Sequence, residues 1–384
     1  MTNDIDKLQK LIETDPTNFQ ARRELSVLLV NEGYNEEAET HLKYLVRYFP
    51  KDEELHYNLG IVYEKQKQFK RARDSYQKAI KISPQEDFYY NLGEVFIELE
   101  KYDDAIASFQ KVLEMDESDG NSYFNLGLCY YKKEEKNLAI DNFQKAVEKN
   151  PRDIYAYFYL GNLYQEQNLT NFAEENYKKV LEISPDYSWA YYNLGSIAYQ
   201  NENLEDAKMY LTKTVQYNPR DIQAYKLLTQ ICLKGDFIDE ILEILTQRTQ
   251  QDSNGDLFYC LARVYKYIGG LKEYYANLTL ALENIYTLSF DKNIIKQELE
   301  VAKYKLAQDE ELEPETYVEE YETEDFNETM DDYNEVEDEN FIESESEVEE
   351  INLAENDAFS VENQQYEEYE EYDNDYKEID EEYE

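Results

Sequence analysis

Histidine, cysteine and tryptophan are nearly missing from this chain, and each shortage removes a class of function. Of 384 residues, two are His, three Cys and one Trp. The two histidines, His41 and His56, sit inside helical patterns, His56 at a packing position, so neither reads as a base or a metal ligand. The cysteines Cys129, Cys232 and Cys260 are isolated, with no paired spacing. This excludes a disulfide framework and points to reduced thiols, as in the cytoplasm. No Cys–His–Asp order suggests a nucleophile, and no Gly-rich phosphate loop is present. A catalytic site, a cofactor and a bound metal are therefore not expected, and neither is an enzyme. The longest apolar run, near Leu25 to Val30, is too short to span a bilayer. The opening MTNDIDKLQKLIETDPT lacks a basic region followed by an apolar one, so no secretory signal is expected.

Basic residues are also outnumbered, 38 Lys and Arg against 86 Asp and Glu, for a net charge of −48. The imbalance is uneven. Residues 309–384 carry 36 acids against the single Lys377, a net of −35, leaving −13 on residues 1–308. An acidic surface repels phosphate backbones and anionic lipid headgroups, which argues against nucleic acid and membrane as partners.

What the chain does have is a period. The stretch His56 to Pro84, HYNLGIVYEKQKQFKRARDSYQKAIKISP, sets a pattern that recurs. Its Gly60 returns as Gly93, Gly127, Gly161 and Gly195, at spacings of 33 or 34. The small residue of its second half recurs as Ala38, Ala72, Ala105, Ala139, Ala173 and Ala207. Six of the seven prolines, Pro16, Pro50, Pro84, Pro151, Pro185 and Pro219, fall in register. Within each unit two amphipathic helical patterns bury one face, and the Pro ends the second. A fixed period of this length with two helices per unit is a repeat architecture, growing along one axis without a single central core.

The chain divides accordingly. Residues 1–18 read as an N-terminal capping helix, with Ile5, Leu8, Leu11 and Ile12 on one stripe. Residues 19–288 hold eight repeats, the last two degenerate: Thr229 and Ile241 stand where Gly and Ala are expected, while Leu261, Ala262, Tyr265, Leu278 and Ala281 keep the pattern in the last. Residues 289–308 read as a closing helix with Ile294, Ile295, Leu299 and Ala302 toward the array. Residues 309–384 read as a disordered acidic tail that contains eight tyrosines, because charge repulsion outweighs its little buriable apolar surface.

At Leu-Gly then Tyr in the first helix, and Ala, an aromatic, Ala and Pro in the second, the chain resembles the tetratricopeptide repeat family over residues 19–288. The resemblance implies an all-α, right-handed superhelical solenoid of antiparallel helix pairs, the first helix of each pair lining a concave groove. On that face lie Asn58, Asn91, Asn125 and Asn193, with Tyr159 breaking the row, each preceded by an aromatic: Tyr57, Tyr90, Phe124, Phe158 and Tyr192. Carboxamides offer a donor and an acceptor matching an extended peptide backbone, and the aromatics add apolar contact area. The alternative is that the carboxamides hydrogen-bond within the array. The clamp some relatives use for carboxylate-terminated tails needs Lys or Arg on this face, where Tyr57 and Tyr90 stand instead. With Glu54, Asp87, Glu94 and Glu98 nearby, the expected partners are proteins presenting extended neutral or basic segments. The expected function is thus a cytoplasmic protein-interaction scaffold. The alternative makes the acidic tail a chaperone or decoy for a basic partner, and a third reading has tail tyrosines occupying the protein's own groove.

Overall fold

The computed structural model describes the backbone of residues 2–312 and the side chains of 4–308. The expected acidic tail therefore lies outside the described residues from 313 onward. Among the described residues there are α-helices and one short 3₁₀ turn, and no strand. Helix α1 is Thr2–Thr14. Eight pairs follow: α2 (Phe19–Asn31) with α3 (Asn35–Tyr48), α4 (Glu53–Lys65) with α5 (Phe69–Ile82), α6 (Glu86–Glu98) with α7 (Tyr102–Met115), and α8 (Gly120–Lys132) with α9 (Lys136–Lys149). Then come α10 (Ile154–Glu166) with α11 (Thr170–Ile183), α12 (Ser188–Gln200) with α13 (Leu204–Tyr217), α14 (Ile222–Gly235) with α15 (Ile238–Gln251), and α16 (Gly255–Tyr267) with α17 (Leu271–Glu283). The 3₁₀ turn Ile285–Thr287 leads into α18, Lys292–Leu312. Each helix packs on its sequence neighbours, as a solenoid requires.

The recurring Gly has a steric cause. A Cβ built on Gly60 would lie 2.2 Å from the ring of Tyr76, and one on Gly93 would lie 2.6 Å from Phe109. Gly127 and Gly161 face Phe143 and Tyr177 in the same way. These four rings sit sixteen residues after their Gly and are fully buried. Where the first position is larger, its partner is smaller: Ser26, Thr229 and Ala262 precede Leu42, Leu245 and Leu278 by the same sixteen residues. In seven of the eight pairs a small residue faces a ring or a larger residue faces Leu, as a close-packed core demands; Gly195, which faces Leu211, is the exception.

The turn inside each pair repeats to the residue. Seven positions after the Gly site the backbone is left-handed in all eight pairs, at Gly33, Lys67, Glu100, Glu134, Asn168, Glu202, Asp236 and Gly269. The next amide closes a bond five residues back, as from Gln68 to Tyr63 at 2.7 Å and Lys101 to Phe96 at 2.8 Å, which is the Schellman ending. Only two of the eight are glycine, so the sequence gives little sign of this uniformity. A left-handed non-Gly residue costs roughly 1–2 kcal/mol, part of which glycine returns as chain entropy. The triple substitution Glu100→Gly, Glu134→Gly and Glu202→Gly is expected to stabilise the array by roughly 0.5 kcal/mol per site. A fall in its thermal midpoint would contradict this.

The end helices depart from expectation in detail. In α1, Ile12 is buried and Ile5 and Leu8 pack against the core, but Leu11 is half exposed. In α18, Ile295 and Ala302 are buried and Leu299 packs beside them, while Ile294 turns outward. A helix meeting the array from one side covers a narrower stripe than the apolar residues span.

Candidate functional site

The first helices of successive units present equivalent positions to one another, and five rows can be followed relative to the Gly site: six, three and two residues before it, and one and four after. Contacts between units join these rows into one surface. Asn91 Nδ2 donates to the Tyr57 hydroxyl of the preceding unit at 3.1 Å, and Asn125 Nδ2 to Tyr90 at 3.1 Å. Tyr159 meets Phe124 with ring centroids 6.0 Å apart and Tyr131 at 5.5 Å. Asn193 Nδ2 reaches Asn162 Oδ1 at 3.4 Å, and Gln230 Nε2 the Tyr199 hydroxyl at 3.0 Å.

The asparagine row thus follows the residue it meets in the unit before. Where that residue is a tyrosine, at 57 and 90, an Asn donates to its hydroxyl. Where it is Phe124, the row changes to the aromatic Tyr159. Where it is Phe158, Asn193 turns aside to Asn162. Asn58 follows Arg23, which is engaged by Asp52 at 2.5 Å, and shows no such bond among the described residues. The donor side of Asn91 and Asn125 is therefore committed to coupling units. Each such bond contributes about 1 kcal/mol net. Asn125 is buried, whereas Asn58, Asn91 and Asn193 are half-buried.

The preceding aromatics also pack within their unit. Tyr57, Tyr90, Phe124 and Phe158 lie 5.6–5.8 Å, centroid to centroid, from Tyr76, Phe109, Phe143 and Tyr177. Phe158 is buried, and Tyr57, Tyr90, Phe124, Tyr159 and Tyr192 are half-buried. Tyr159 stacks on Phe143 at 5.2 Å. Burial, and then the carboxylates of Asp87, Glu64 and Glu94, raise the Tyr57 phenol above its ordinary range, while burial and Glu94 do the same for Tyr90. Burial likewise raises Tyr192. These phenols stay protonated at neutral pH.

The sequence did not reveal how the hydroxyls of the deep rings reach this surface. Tyr76 donates to Glu64 Oε2 at 2.7 Å, and the single Tyr177 hydroxyl proton lies between two acceptors, Asn162 Oδ1 at 2.7 Å and Gln165 Oε1 at 2.9 Å. The signal was present, since the buried aromatic alternates Tyr, Phe, Phe, Tyr, and each Tyr is matched by Glu64 or Gln165 twelve residues earlier.

At the last pair the chain covers its own surface. Ser289 donates from its amide to Asp256 Oδ1 at 2.7 Å and from its hydroxyl to Oδ2 at 2.8 Å. Lys226 donates to Ser289 Oγ at 2.7 Å and lies over the Phe290 ring, which meets Tyr259 edge-on at 4.7 Å. Thr287 Oγ1 accepts from the Gly255 amide at 2.8 Å. Asp256 is left 3% exposed. Where the row reaches Cys260 the side chain is fully buried.

Reactive chemistry is muted. Burial pushes the thiols of Cys129, Cys232 and Cys260 up to about 12, 12 and 11, so they are not nucleophiles at neutral pH. His56 is buried with Nε2 3.1 Å from the Pro50 carbonyl oxygen. His41 is held below its usual range by burial and by Arg22, whose Nη1 lies 2.8 Å from Nδ1. Among the described residues no group of His, Cys, Asp and Glu is placed to hold a metal ion, and no helix is long and apolar enough to cross a membrane.

Helix pairs of fixed length, a Gly-for-ring contact and an inter-unit surface on the first helices define a helical-repeat interaction scaffold. Models of the tetratricopeptide repeat match residues 53–86, 90–154, 142–174 and 170–231. Residues 53–231 of this chain are tetratricopeptide repeats. Among solved structures it is similar to MamA (residues 41 to the end) from Desulfovibrio magneticus RS-1, with 27% identity over 44% of this chain and 97% of that one, TM-score 0.43. YrrB, described as a tetratricopeptide protein with an unusual peptide-binding site, is 27% identical over 48% of this chain and 95% of its own, TM-score 0.42. PilF of Pseudomonas aeruginosa is 17% identical over 55% and 97%, TM-score 0.48. Comparison with curated proteins gave no match.

Proposed function

We propose that this protein is a non-enzymatic, cytoplasmic adaptor whose repeats, residues 19–288 capped by 1–18 and 289–308, hold an extended segment of a partner protein against the first-helix surface. The observation that carries this reading is the row of mostly half-buried aromatic rings and amides joined from unit to unit, Asn91 to Tyr57, Asn125 to Tyr90 and Tyr159 to Phe124. Such a surface offers ring faces and side-chain carbonyl oxygens to a peptide, and the amide–phenol bonds hold both in place beforehand, lowering the ordering cost of binding. The binding residues on this reading are the exposed faces of Tyr57, Tyr90, Phe124, Tyr159 and Tyr192 and the carbonyl oxygens of Asn58, Asn91 and Asn193. Asn125 and Phe158 support them from beneath.

A photo-crosslinking residue placed at Ser196, on this surface, and at Glu175, exposed on second helix α11, tests the reading in the full chain. Partner proteins are expected to crosslink through 196 and not through 175. Crosslinks through 175 alone would move the site off this surface.

A further inference from the structure

The five surface rows are not uniform in charge along the array. In the second and third pairs they hold Glu54, Glu64, Asp87 and Glu94 and no Lys or Arg. In the next three pairs, between Asn121 and Tyr199, five rows over three units hold no charged residue at all, in a chain that is 32% charged. That stretch is rich in aromatics, with Tyr155, Tyr159, Trp189, Tyr192 and Tyr199 among them. Lys226, Asp256, Arg263 and Lys266 then appear, and here Thr287–Phe290 lies against Lys226, Gly255 and Asp256. The Tyr57 and Tyr90 phenols register the acidic end as nearby negative charge.

Resting on the peptide-groove reading, we propose that the partner segment is asymmetric in charge: Lys or Arg over the second and third pairs, followed by an uncharged stretch over the fourth to sixth. Complementary charge at one end selects and orients the segment, while an uncharged aromatic surface penalises any charged side chain it would desolvate. The cations find both carboxylates and ring faces at Tyr57 and Tyr90. The self-covered seventh and eighth pairs bound the site. Packed helices lie about 8–10 Å apart, so five pairs span roughly 40 Å, or about 12 residues of extended chain.

The test uses the full chain and four synthetic 12-residue peptides as probes, of length set by that estimate. Two place a lysine block before or after an uncharged Tyr/Ser/Asn stretch, the third lacks the lysines, and the fourth replaces them with glutamates. Trp189, the only tryptophan of the sequence, reports occupancy through its fluorescence. One lysine order is expected to bind roughly fivefold tighter than the uncharged peptide, and the glutamate peptide more weakly than either. The pair E54Q and D87N changes two exposed carboxylates and is expected to remove most of the lysine advantage while leaving the uncharged peptide unaffected. A lysine advantage that survives in E54Q/D87N places the cations elsewhere, the acidic 309–384 segment included, and overturns the proposal. So does equal or tighter binding of the glutamate peptide, the outcome expected if an acidic segment such as 309–384 were the occupant. If no peptide binds or shifts Trp189, the groove reading itself fails.

Discussion

Replacing Gly93 by threonine is expected to destabilise α6 and α7 by about 3 kcal/mol, the upper range for overpacking a core. A Cβ at Gly93 would stand 2.6 Å from Phe109 Cζ, and that ring is fully buried with no room to withdraw. Phe109→Leu alone should cost about 1.5 kcal/mol through the cavity it leaves. The two together should cost less than Gly93→Thr alone, because Thr with Leu is the pair the array already uses at Thr229 and Leu245. There Thr229 Oγ1 donates to the Tyr225 carbonyl at 2.7 Å, so the hydroxyl finds a partner within its own helix. The expected coupling is roughly 2–3 kcal/mol. Repeat arrays open unit by unit, so hydrogen exchange of α6 and α7 amides is the appropriate readout. Simple additivity of the two single changes would refute the volume-swap account.

That pair shows what the sequence could and could not convey. The Gly register, the Pro stops and the 3.6-residue stripes made the all-α repeat fold legible, since each follows from a local demand that recurs every 33 or 34 residues. The sixteen-residue partner was equally present in the sequence but shows itself only when both positions are read together. The left-handed turn residues were hidden for another reason. Six of the eight are Lys, Glu, Asn or Asp, so the geometry is imposed by the packing of the pair and not by the residue that adopts it. At the ends the periodic argument weakens, and Leu11 and Ile294 show it: with a neighbour on one side only, part of an apolar stripe stays in water.

The candidate site divides in the same way. The positions of Asn58, Asn91, Asn125 and Asn193 could be read from periodicity, but whether a carboxamide faces a ligand or a neighbouring unit depends on a residue 34 or 35 positions earlier. Tyr57 before Asn91 and Tyr90 before Asn125 place the donor inside the array, and Phe124 before Tyr159 accounts for the break. On the proposed reading, the partner segment then meets ring faces more than amide donors.

Asp256→Ala is expected to cost about 3 kcal/mol at the C-terminal end of the array, through contacts that no period foretold. Asp256 accepts two bonds from Ser289 and lies 3.7 Å from Lys226 Nζ, and only 3% of the residue is exposed. Removing it leaves the Ser289 amide without its acceptor and the Lys226 ammonium without its carboxylate. Breaking a buried pair from one side costs about 3–5 kcal/mol, and Lys226, whose side chain is 21% exposed, recovers some hydration and brings the figure to the low end. Asp256→Asn keeps an acceptor for the Ser289 amide and should cost about 1 kcal/mol. Because repeats couple to their neighbours only, amide protection is expected to fall in α16 to α18 and to hold in α4 to α9. Unchanged protection of α18 would mean that Thr287–Phe290 does not depend on Asp256. Loss of protection throughout would mean that the array unfolds as one cooperative unit. The expected local loss would leave the surface at Lys226 and Tyr259 open to an added peptide, so the same variant shows whether the chain's own segment sets the end of the groove.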